Sequence, residues 1–143
     1  MASSSAADYQ HNKFMQLLFY NTAYTPPSTV YVALFTTVPS LAGTGGVEVS
    51  TSGTAYARQS IVCSTSGFQG PSGANLEYSN KLDLTYGVPT ANWGTITGAG
   101  IYDASTGGNL LYVATLTSPK VVNNGDGAPR ILAGQLRVSR ATC

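Results

Sequence analysis

The sequence predicts an all-β fold: an antiparallel β-sandwich of about seven or eight strands, preceded by a short N-terminal helix and a polar arm. Three observations predict it. Short apolar or alternating segments recur at a spacing of roughly ten residues, each bounded by Gly, Pro, Asn, Asp or Ser. Beyond the N-terminal segment no helical period is sustained, which excludes βαβ units. Hydrophobic residues make up 43% of the chain and charged residues only 9%, against a typical ~25% charged. Ser, Thr and Gly supply roughly a third of it, so the surface is covered by hydroxyls and backbone. The 143 residues fit one domain of ordinary size.

Each element follows in order. Ala2 to Asp8 is small and polar and reads as an arm. Asp8 is placed to cap a short helix, because a carboxylate there accepts from orphan backbone N–H groups. From Tyr9 to Tyr20, Phe14 lies one helical turn from Leu18, and Met15 one turn from Phe19. That spacing gives one apolar face of a short helix. Pro26 and Pro27 stop it by removing donors. Residues 1–25 are thus arm and helix, and residues 26–143 the sandwich, in a single domain.

"TVYVALFTT" puts Val30, Val32 and Leu34 on one face and Tyr31, Ala33 and Phe35 on the other. Both sets are apolar, which predicts a strand buried on both sides. "LAGTGG" is a loop and "VEVS" a short strand or edge. "ARQSIVCSTS" is a further strand, and "GFQGPSGA" reads as a turn-rich loop. "NLEYSN" and "KLDLTY" are short alternating segments. "TITGAGIY" and "LLYVATL" flank the loop "DASTGGN". Asn124-Gly125-Asp126-Gly127 is a strong turn signal. "RILAGQLRVS" reads as the last strand.

Charge and composition exclude several functions. Net charge is +1, and Lys13, Arg58, Lys81, Lys120, Arg130, Arg137 and Arg140 are scattered. Nucleic-acid binding needs clustered cations that displace counterions, so no nucleic acid is expected. Cys63 and Cys143 are far apart and are expected as free thiols. The N-terminus lacks the basic and apolar regions of a signal peptide. "FMQLLFY" is far shorter than the ~20 residues a membrane span needs, so no membrane is expected either. His11 is the one histidine and sits beside the arm, which leaves a nucleophile–histidine machine without its base. No His, Cys and carboxylate set has metal-ligand spacing. Asn124 and Asp126 resemble half of a calcium loop, but the remaining ligands are missing and a tight turn explains the same residues. No catalytic residue, cofactor or metal is expected.

"DASTGGN" resembles a phosphate loop only superficially. A P-loop needs a Lys and a following helix. Here no Lys follows and the next segment reads as strand. Asp103 is instead expected to accept from N–H groups one or two residues on. Gly107 and Gly108 are expected to supply positive φ. Trp93 is expected to lie across the small residues Gly98, Ala99 and Gly100, with its N–H bonded to a carbonyl. The nine tyrosines suit strands and interfaces better than sugar stacking.

The ordered set of segments resembles a family of small virion proteins of tailed bacteriophages, commonly labelled phage tail fibre protein. The resemblance rests on "VYVALFT", Tyr56-Ala57-Arg58, Trp93-Gly94, Asp103 with Gly107 to Leu111, and Pro119-Lys120 before the Asn-Gly turn. It covers about Phe14 to Val138; the polar arm and "APR" around Pro129 depart from it. It implies a helix-fronted sandwich located in the virion, without catalysis. Tyr31, Arg58, Trp93, Asp103, Gly107 and Gly108 are then structural turn and core residues. Ala2, Ser3, Ser4, Ser5, Asp8, Tyr9 and Phe14 are the expected interaction residues. Receptor-binding fibres are usually long and repetitive, whereas this chain is short and without repeats. The first expectation is therefore a capsid decoration, or cement, protein that bridges subunits of the major capsid protein and associates with copies of itself, as a trimer. The alternative is a tail fibre, baseplate or tail-tip component that contacts other tail proteins, with host-surface or glycan binding as its task.

Overall fold

The computed structural model describes residues 4–139. Ala2, Ser3, Arg140 and Cys143 lie outside the described residues. The chain runs β1 (Ser5–Ala6), α1 (Asp8–Phe19), β2 (Thr29–Thr37), β3 (Val47–Glu48), β4 (Gln59–Val62), β5 (Phe68–Ser72) and β6 (Glu77–Asn80). It continues through β7 (Leu84–Thr85), β8 (Gly94–Tyr102), β9 (Leu110–Val122), β10 (Arg130–Ile131) and β11 (Arg137–Val138). The all-β reading therefore holds.

One large antiparallel sheet carries the fold, in the order β1-β9-β8-β2-β3, with β4 also paired to β2. Two small sheets, β10-β7 and β11-β6-β5, cover one of its faces. The main core lies between these layers. It joins Val30, Val32 and Leu34 of β2, Ile96 and Ile101 of β8 and Val122 of β9 with Leu84, Tyr86 and Leu136 from the cover. The opposite face of the large sheet holds a smaller cluster of Ala7, Leu110 and Val113.

β2 is buried on both faces, as its two apolar sets require: Val32, Ala33, Leu34 and Phe35 are all in the interior. β8 is the other central strand. Its Gly98 and Gly100 let neighbours come close: a methyl group on Gly98 would strike Val38, and one on Gly100 would sit 2.8 Å from the Phe35 ring. Trp93 is thus not the neighbour of that glycine pair.

Four details differ from the sequence reading. The arm contributes a strand: Ser5 and Ala6 pair with Val113 and Tyr112 of β9. "GFQGPSGA" is not a loop, because Phe68–Ser72 pairs with β6. "RILAGQLRVS" is not one strand: Gly134 turns at φ +78 and splits it into β10 and β11. Asp8 does not cap α1. Ala7 is the N-cap, with no side-chain cap bond, and Asp8 lies in the first turn, where its charge suits the helix dipole.

Candidate functional site

The most densely bonded polar site is built on Arg58, which precedes β4. Its side chain is only 7% exposed. The guanidinium forks onto Glu48 of β3, with Nε donating to Oε1 at 2.9 Å and Nη2 to Oε2 at 2.8 Å. Nη1 donates to the carbonyls of Ala104 and Gly107 at 2.9 and 2.8 Å. The plane lies over the Tyr102 ring, 3.8 Å from its centroid, a cation–π contact. Burial alone would lower the guanidinium pKa; the hydrogen bond and charge of Glu48 outweigh it and the net shift is upward. The arrangement engages four of the five guanidinium N–H groups and the side chain is 7% exposed, which leaves little of the guanidinium for a ligand. It is a clasp that ties β3 to the β8–β9 loop.

That loop is "DASTGGN". Asp103 spans its mouth: Oδ1 accepts from the Asn109 backbone N–H at 2.7 Å and Oδ2 from the Asn109 side-chain amide at 2.8 Å. The bond runs six residues along the chain, so the short local turn expected of Asp103 is replaced by a staple across the loop. Gly107 and Gly108 do adopt positive φ, +59 and +75. Ser105 to Asn109 are exposed, but Arg58 holds two carbonyls of the loop from within. The loop is a pinned hairpin connection.

Beneath β3, Tyr56 joins the clasp to the core. Its hydroxyl donates to Glu48 Oε1 at 2.9 Å and accepts from the Leu34 N–H at 2.9 Å. Tyr56 stacks on Tyr86, and Trp93 packs edge-on to both. The Trp93 indole N–H donates to the Thr54 carbonyl at 2.8 Å, so the expected carbonyl bond exists although the partner ring surface differs. Burial, above all, holds the Tyr56 and Tyr86 phenols far above the usual range. Tyr31, on the second face of β2, is partly buried opposite Tyr102. No composition argument reaches Asn80, which is 0% exposed. Its amide donates to the carbonyls of Leu82 and Leu132 and its oxygen accepts from the Leu136 N–H. It ties β6 to the β10–β11 turn.

The expected interaction residues divide. Ser4 is buried, and Ser5 is engaged in β1. The Ala7 N–H donates to the Leu111 carbonyl at 2.8 Å, and the Asp8 N–H to the Leu41 carbonyl at 2.9 Å. The described part of the arm is stitched to its own sheet. Tyr9 packs against the core, with the Lys13 ammonium 5.5 Å from its ring centroid. Phe14 points the other way. Together with Met15, Leu17, Leu18, Phe19 and Tyr20 it leaves the second half of α1 exposed, with Leu18, Phe19 and Tyr20 at 74%, 66% and 78%. Gln16 lies on the less exposed side with Lys13, and the remaining positions Phe14, Met15, Leu17, Leu18 and Phe19 spread a broad apolar surface around the rest of the axis. So broad an exposed apolar surface is unusual for a helix end facing water.

Among the described residues no group of three His, Cys, Asp or Glu side chains converges, and no helix is long and apolar enough to cross a membrane. His11 is exposed on α1 and Cys63 is an exposed free thiol. The Asn-Gly segment is a closed turn. Asp126 accepts from the Asn123 N–H at 2.7 Å, and the Gly125 N–H donates to the Pro89 carbonyl at 3.0 Å.

No curated protein matches the chain. A family model described as "Podophage GP4 fiber I protein gp80" matches residues 5–139. The matched span includes the Arg58 clasp, the Trp93 cluster, the Asp103 loop and the exposed helix end. The chain belongs to this podophage fibre-protein family, a family of small tailed-phage virion proteins.

Proposed function

We propose that this chain is a non-enzymatic subunit of a virion fibre, carried on the particle and joined to copies of itself through the exposed end of α1. The family match carries the reading, because its description is that of a fibre protein. That description favours the alternative over the decoration role that the sequence put first. The helix end supports contact between copies. Its six large side chains expose on the order of 600 Å², the upper end of the roughly 300–600 Å² of the largest, often functional, patch on a typical monomer and approaching the ~800 Å² per partner of a stable interface. From Phe14 to Val47 the sequence has no charged residue and no histidine, so two such surfaces meet without like-charge repulsion.

Decoration of the shell keeps one observation in its favour: a charge-poor surface, 9% of residues, that packs closely at little desolvation cost. Immunogold labelling of intact virions with antibody against the folded domain separates the two. Label confined to the tail end of the particle is expected. Label spread evenly over the shell would replace the fibre reading with decoration.

A further inference from the structure

The core is left open beside the second half of β9. β9 bulges between Thr115 and Lys120, and Leu116, Ser118, Lys120 and Val122 line one side of an opening there, Ser118 and Lys120 being exposed. Leu116 and Val122 pack in the core, and Lys120 pairs with Ile96, itself a core residue. The bulged stretch thus brings an apolar side chain, a hydroxyl and a cation to the same opening. Over this stretch the cover is the two-residue β10. A cavity of about 320 Å³ remains, floored by Leu34, Ile96 and Ile131. Lys120 and Arg130 line both this cavity and an adjoining polar bay of about 570 Å³.

We propose that this cleft binds an anion joined to an aliphatic chain. The chain lies on the Leu34, Ile96 and Ile131 floor, and the carboxylate or phosphate sits between Lys120 and Arg130. The size and lining are those of a ligand site, with apolar walls and a few convergent polar groups. The cations are available. The Lys120 ammonium has no ion pair among the described residues. Arg130 reaches Asp83 only at 4.0 Å, with both side chains about half exposed, and Asp83 already accepts from the Ala133 N–H at 2.8 Å. Asp126 also lines the bay, but one of its oxygens is taken by the Asn123 N–H. Asp83 beside Arg130 and Asp126 in the bay offset the two cations in number, so the contact offered to an anion is chiefly the Lys120 ammonium. Fatty acids and phosphate-headed lipids share this chemistry.

A competing account needs no ligand. Lys120 beside Pro119 on an edge strand is also how proteins prevent strands from adding to a sheet. Calorimetric titration with octanoate and with octyl phosphate, against 1-octanol and inorganic phosphate, tests the proposal and distinguishes the headgroups. Saturable binding of one amphiphile per chain is expected, with octanol and phosphate at least about tenfold weaker. The double variant Lys120→Ala, Arg130→Ala is expected to lose about tenfold or more, while Lys81→Ala, remote from the cleft, keeps wild-type affinity. Lys120→Gln with Arg130→Gln repeats the test with longer polar side chains. Three results would overturn the site: no saturable binding up to about 1 mM, octanol binding as tightly as octanoate, or unchanged affinity in both double variants. A Lys120 variant that aggregates while keeping its affinity would assign the lysine to edge protection.

Discussion

Replacing Arg58 by alanine removes a bidentate ion pair to Glu48, two hydrogen bonds to the Ala104 and Gly107 carbonyls, and the cation–π contact with Tyr102. Breaking a buried ion pair by deleting one partner costs about 3–5 kcal/mol. The arginine side chain is 7% exposed and that of Glu48 is 26%, so the orphaned carboxylate regains some water. The lower half of that range applies, about 3–4 kcal/mol. For a chain of this size the midpoint of thermal unfolding falls by roughly 10 °C. Arg58→Lys retains the charge but not the planar fork, and is expected to lose about half as much. Denaturant unfolding followed by circular dichroism gives both values. A double-mutant cycle with Glu48→Gln isolates the pair, with an expected coupling of about 1–3 kcal/mol. Hydrogen exchange adds a local readout, because Ala104 to Asn109 should lose protection in Arg58→Ala. A loss below about 1 kcal/mol, or Arg58→Lys equal to wild type, would refute the clasp as an organising contact.

Three further outcomes follow from other parts of the molecule. Burial holds the Tyr56 and Tyr86 phenols above their ordinary 10.0, so the fold favours their protonated forms. That contribution is complete below about pH 10 and is lost as pH rises beyond it; stability is expected to fall there, with phenolate absorbance from these residues appearing only with unfolding. Asn80→Ala removes the side-chain bonds to the Leu82 carbonyl and the Leu136 N–H, and one of two bonds to the Leu132 carbonyl, which keeps the Gln135 N–H; a loss of about 2–4 kcal/mol in denaturant unfolding is expected, and a loss within 0.5 kcal/mol, about that of a surface change, would contradict its bridging role. Leu18→Glu with Phe19→Glu charges the exposed helix end; sedimentation velocity should show a shift toward monomer with an unchanged circular dichroism spectrum.

What the sequence revealed follows physical range. β2 was legible because burial on both faces demands two apolar sets, and Val30 to Phe35 supply them. The turn at Gly107 and Gly108 was legible because positive φ is a local demand. Arg58 looked structural, but its partners lie 10, 46 and 49 residues away, and no local pattern encodes such distances. Asn80 was missed for the same reason: two of its three partners belong to the distant β10–β11 turn. β1 escaped because a two-residue strand needs only backbone, and a Ser-Ala arm offers that without any alternation. The helix was expected to present one apolar face. Its second half instead exposes every large apolar side chain it carries, with only Gln16 partly covered, a property of placement that periodicity does not report.

Counting copies of this chain in purified virions, by quantitative mass spectrometry against the major shell protein, tests the fibre assignment most directly. The account predicts copies on the order of tens per particle, set by the symmetry of the tail. Copies on the order of hundreds, in fixed proportion to the shell subunits, would contradict it.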